Sequence, residues 1–106
     1  MRLLAAATIA ASLILSTGAA GAAELVISQK KKRFDPKLLN AKLGDTLVLV
    51  NDDRYAHNLF SETPGFEFNV RKQMPGDTHR LALDKSGKFE IRCVIHPRMR
   101  MTVIVE

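Results

Sequence analysis

The clearest pattern in the chain is an alternation. Phe89, Ile91, Cys93 and Ile95 fall on one face of an extended segment, while Lys88, Glu90 and Arg92 fall on the other. This predicts a half-buried strand with the Cys93 sulfur turned inward. Thr46–Val50 reads differently: it is a continuous aliphatic and β-branched run, which suits a strand covered on both faces. Glu24–Ser28 and Thr78–Leu83 are further β-rich runs, Phe66 and Phe68 alternate, and Met101–Glu106 forms a last strand. Pro36, Gly44-Asp45, Pro64-Gly65, Pro75-Gly76-Asp77 and Ser86-Gly87 punctuate them as turns. No stretch after residue 23 sustains a helical period. Six to eight short strands with frequent turns predict an all-β sandwich or small barrel.

The first 23 residues follow another pattern. Arg2 precedes an apolar run from Leu3 to Leu15, then small residues ending in Ala20-Gly21-Ala22-Ala23. This is the layout of a secretory signal peptide, with the cut near Ala23. The apolar run is too short for the roughly 20 residues that span a bilayer. The expected organisation is therefore a signal peptide, residues 1–23, and a single exported domain, residues 24–106. No membrane span is expected after cleavage.

Charge and cysteine count narrow the chemistry. Sixteen Lys and Arg face eleven Asp and Glu, a net +5 that falls to about +4 without Arg2. Much of the excess sits in Lys30–Arg33, which reads as a solvated strand end or loop. Export and a lack of tryptophan argue against nucleic acid as a partner. Cys93 is the single cysteine, so no internal disulfide can form, and a lone exported thiol points to a metal ligand or a reactive group. Its inward orientation disfavours a Cys93–His96 nucleophile pair, which needs an exposed electropositive niche.

Around that cysteine the sequence runs "CVIHPRMRM". Pro97 lacks an N–H and interrupts a central strand, so Cys93 ends a strand and His96–Met99 form a tight loop. His57 follows the Thr46–Val50 strand after a short polar loop, placed to reach the same end. Two imidazoles, a thiolate and a thioether form a soft donor set suited to copper, and a His₂Cys plane with a weak axial Met defines a blue-copper centre. Structural zinc sites use Cys, His and carboxylates instead. Met99, three residues after His96, is the favoured axial ligand because Pro97 shortens the loop. Met101, five residues after His96, is the alternative, although it alternates with Val103 and Val105 as a core residue would. His79 reads as a rim histidine, Met74 as packing, and Asp52 and Asp53 as a turn.

"CVIHPRMRMTVIVE" resembles the ligand loop and final strand of the cupredoxins, the type 1 blue copper proteins, most closely those of the amicyanin and plastocyanin type. "FDPKLLNAKLGDTLVLVNDDRYAHN" is similar to the family's other signature, and the two cover most of residues 24–106. The resemblance implies a Greek-key β-sandwich, with one copper held by His57, Cys93, His96 and Met99. It further implies that Asn58 supports the site, its side chain tying its loop to the Cys93 loop. The His96 edge would be the electron exit. Ile95 stands where amicyanins have proline, and Arg98 and Arg100 put charge on a patch that is usually apolar. The function expected is a monomeric periplasmic carrier of single electrons, cycling between Cu(I) and Cu(II), and not an enzyme. Its partners would be redox proteins such as a cytochrome c or a periplasmic dehydrogenase with an acidic surface. A copper-binding or delivery protein of the same fold, with Met101 or His79 as a waiting ligand, is the alternative. A metal-free sandwich binding an acidic envelope partner is a third.

Overall fold

The computed structural model describes residues 21–106. Residues 1–20, which hold nearly all of the expected signal peptide, lie outside the described residues. Among the described residues there are nine strands and no helix. In chain order they are β1 (Glu24–Lys30), β2 (Arg33–Asp35), β3 (Leu38–Ala41), β4 (Thr46–Asn51) and β5 (His57–Ser61). β6 (Phe68–Gln73), β7 (Thr78–Ala82), β8 (Gly87–Cys93) and β9 (Arg100–Val105) follow. They form a four-stranded sheet, ordered β2-β1-β4-β7, and a five-stranded sheet, ordered β3-β9-β8-β5-β6.

The β-sandwich is as expected, but it has nine strands rather than six to eight. The sequence pattern does not single out β5, nor β2 and β3, which are three and four residues long on either side of Pro36. Segments this short are too brief to display a period of two, and each lies at the edge of its sheet, where a nearby proline is tolerated. The two Pro-Gly turns formed as their chemistry dictates. Phe66 N–H bonds Thr63 C=O at 2.8 Å and Asp77 N–H bonds Met74 C=O at 2.9 Å, with Gly65 and Gly76 at φ 85° and 86°. A positive φ at the third turn position is what a type II turn requires and what glycine supplies without steric cost. Phe66 precedes β6 rather than joining it, and stacks on Phe89 with ring centroids 4.8 Å apart.

β4 lies inside its sheet between β1 and β7, and Leu47, Val48 and Leu49 are all buried, which accounts for its unbroken apolar run. β8 shows the expected alternation, with Phe89, Ile91 and Cys93 buried. Ile95 departs from it. The strand ends at Cys93, the chain turns, and Ile95 is 52% exposed instead of sharing the inner face. Met74, expected to pack, is likewise exposed, at the first position of its turn. Ile27, Leu47, Leu49, Leu59, Ile91 and Val103 are wholly buried between the sheets and form the centre of the core.

Candidate metal centre

Two antiparallel neighbours bring the donor groups together. β5 and β8 pair with Leu59 opposite Cys93, so the first residue of β5, His57, lies beside the last residue of β8. The β4–β5 loop that delivers His57 is shaped by Asn51. Its side-chain oxygen accepts the Asp53 N–H at 2.9 Å, and its amide donates to the Tyr55 and Gln73 carbonyls at 2.8 and 3.0 Å. Gln73 is buried too; it donates to the Leu49 and Asp77 carbonyls and accepts from Gln29. These bonds satisfy buried polar groups that would otherwise each cost about 1–3 kcal/mol, and they hold the loop to both sheets.

The second histidine arrives on the β8–β9 loop. Met99 N–H donates to the His96 carbonyl at 2.9 Å, and Cys93 N–H donates to the Met99 carbonyl at 3.2 Å. The loop therefore folds back on itself and carries His96 over the Cys93 sulfur. His57 Nδ1 and His96 Nδ1 are 3.1 Å apart, and each is 3.8 Å from Cys93 Sγ. His57 and Cys93 are buried; His96 is half-buried.

These three atoms fit a metal ion. A triangle with sides of 3.1, 3.8 and 3.8 Å has its centre about 2.1 Å from each corner. Bonds of imidazole and thiolate to a borderline ion such as zinc are about 2.0–2.3 Å. His57 Nε2 lies 3.1 Å from the buried Asp53 carboxylate. A proton on Nε2 satisfies that contact and leaves the Nδ1 lone pair turned toward Cys93 and His96. Burial pushes His57 below the ordinary histidine value, more than Asp53 raises it, and His96 adds to the lowering. The neutral imidazole that metal ligation requires is thus the favoured form. The donor set of two imidazoles and one thiolate suits copper or zinc, and a nearby thioether tilts it toward copper.

Met99 is 1% exposed at the end of the His96 loop. Met101 is 2% exposed on β9 opposite Ile91, in the same apolar core as Val103 and Val105. Met99 lines the surface groove beside His96, whereas Met101 does not. His79 stands on β7, paired with Leu49 of β4 within the four-stranded sheet, and is no part of the cluster among the described residues. Asn58 ties the two loops differently from the expectation. Its backbone N–H donates to Cys93 Sγ at 3.4 Å and its carbonyl accepts the Val94 N–H at 2.9 Å. Its side-chain oxygen is buried without a partner.

Asp53 is the residue that sequence reasoning missed. Desolvation works to raise its pKa, but the Lys32 and Arg54 N–H groups at 2.8 and 2.9 Å, together with His57, outweigh it and hold the carboxyl below the usual range. The only signal in the sequence was its place four residues before His57, which a polar turn reading left unused.

Two histidines and a cysteine meeting at one end of a β-sandwich define a candidate metal site on an all-β fold. A family model described as a cupredoxin-like domain matches residues 3–105, and the chain belongs to that family. Amicyanin-alpha from Methylorubrum extorquens is 30% identical over 119 residues, covering the whole of both chains. The methylamine utilization protein MauL of the same organism is 38% identical over 64 residues, 59% of this chain and 56% of that protein. The chain spans about half the length of the MauL proteins it matches. The Cu(I) form of an amicyanin variant superposes with a TM-score of 0.74 at 22% identity, covering 78% of this chain and 82% of the other, a likeness of fold.

Proposed function

We propose that the chain is a periplasmic type 1 copper protein that carries single electrons between redox proteins. The observation that carries this reading is the convergence of His57 Nδ1, Cys93 Sγ and His96 Nδ1 within 3.8 Å of one another. His57, Cys93 and His96 would hold the metal, with the Met99 thioether as a fourth donor and one copper per chain. Copper bound there would supply the one-electron couple between Cu(I) and Cu(II).

The chain's own residues limit how far the donors move when charge changes. Asp53 fixes the His57 ring, the Asn58 N–H meets the sulfur, and the two Met99 backbone bonds close the loop that holds His96. Core packing around the wholly buried His57 and the nearly buried Cys93 keeps water from the donors, while the half-buried His96 ring faces a partner. Residues 1–23 serve as the export signal, and residues 24–106 as the working domain, a monomer. The relatives named for amicyanin and for methylamine use support a redox role, and the present chain has no catalytic role in this reading.

The test is the absorption and EPR spectrum of the copper-loaded domain. An intense visible thiolate-to-copper band that bleaches with ascorbate is expected, and Cys93→Ser should abolish it. Copper that binds without such a band and passes readily to a chelator would instead identify a delivery protein.

A further inference from the structure

The Lys30–Arg33 run does not lie on a remote solvated face. Lys31 and Lys32 form the two-residue turn of the β1–β2 hairpin, closed by the Lys30–Arg33 pair. That turn is bound to the metal end: the Lys32 N–H donates to Asp53, and the Lys32 ammonium lies 4.6 Å from the centre of the Tyr55 ring. Tyr55 in turn meets His96 edge-on, with ring centroids 6.3 Å apart. Lys32, Arg33 and Lys37 from this side, and Arg98 and Arg100 from the β8–β9 loop, line one groove together with His96.

We propose that this groove is the docking face for a carboxylate-rich redox protein, which it seats against the His96 edge. The proposal rests on the electron-carrier reading and names the chemistry of the partner. Every charged side chain lining the groove is cationic, and all five cations are exposed. None of them is in an ion pair among the described residues. Of the two acids that follow β4, Asp52 accepts from Ser28, and Asp53 is taken up by the Lys32 N–H and His57. Five like charges around one opening repel one another in the free protein and are complemented by an opposed acidic surface. Between them the groove presents Ile95 and Pro97, both exposed, so it has the apolar centre and charged rim of a protein interface. A small anion would need converging buried donors; these cations stand on long exposed stems.

The experiment measures electron transfer from the reduced copper protein to an acidic c-type cytochrome and to a basic one, over a range of ionic strength. The acidic cytochrome should react faster at low salt, by on the order of tenfold, and the advantage should vanish at high salt. Reversal of either segment, Lys32→Glu with Arg33→Glu or Arg98→Glu with Arg100→Glu, should remove most of that advantage. Neither should alter the visible spectrum or the rate with neutral hydroquinone. An unchanged acidic-cytochrome rate for either pair overturns the single groove. Amide shift mapping of the metal-free protein with the same acidic cytochrome is the second measurement. Shifts gathered at residues 31–37 and 95–100 support the proposal; shifts elsewhere, or none, overturn it. Because this mapping needs no copper, failure of docking is separable from failure of the electron-carrier reading, which the absorption spectrum judges alone.

Discussion

Asp53 shows how one carboxylate positions a candidate ligand. It is buried, accepts two backbone N–H bonds and meets the far nitrogen of His57, so the imidazole has one orientation and one tautomer. Asp53→Asn keeps the shape but removes the charge that these donors complement. We expect it to lower stability by about 1–3 kcal/mol, read by urea melts, and to weaken copper affinity by about 10- to 100-fold, read by competition with a chelator. His57 sets a pH dependence of the metal-free protein. Its folded value lies below the ordinary one, with burial the main cause. The unfolded chain therefore takes up a proton near pH 6.5 while the folded chain does not, so unfolding is favoured as pH falls below about 6.5. The melting temperature of the metal-free protein should drop more between pH 7.5 and 5.5 than that of His57→Gln.

The β1–β2 turn and the β8–β9 loop are elements that build the end holding the candidate metal site. Lys31 and Lys32 have φ of 53° and 58°, the left-handed region that a two-residue hairpin of this twist needs. Asn-Gly is the pair such a turn favours, and lysine there costs about 1 kcal/mol per residue. Replacing Lys31 by Asn and Lys32 by Gly should raise stability by about 1–2 kcal/mol in urea melts. The same change removes a cation from the groove, so the gain in stability would come with slower docking. The turn's sequence, "KKKR", was legible as a solvated loop; its attachment beside His96 was not, because it depends on the Asp53 bond from another loop. The β8–β9 loop was more legible. Alternation placed Cys93 inward, Pro97 ended the strand, and the structure agrees on both, while Ile95 left the inner face once the strand had stopped.

At the scale of the molecule, the candidate donors come from one end of the β5–β8 pair and from the loop that follows β8, and are held by a core that spans two sheets. An ion that binds only the folded chain stabilises it by mass action, by about 2.7 kcal/mol at one hundred times its dissociation constant. Copper should therefore raise the melting temperature by several degrees in scanning calorimetry, and Cys93→Ser should lose most of that rise. The buried Gln29, Gln73 and Asn51 link β1, β6 and β4, so the loop that presents His57 is braced by strands of both sheets.

The sequence alone determined the strands with a clear period, the Pro-Gly turns, the inward sulfur and the identity of the candidate donors, because each follows from residues close together in the chain. Tertiary structure decided the rest. The contact of Asp53 with His57, the backbone tie from Asn58 to Cys93 and the merging of two cationic segments beside His96 arise where separate loops meet. Those meetings are set by strand pairing and core packing between residues distant in sequence, for which a local pattern carries no signal.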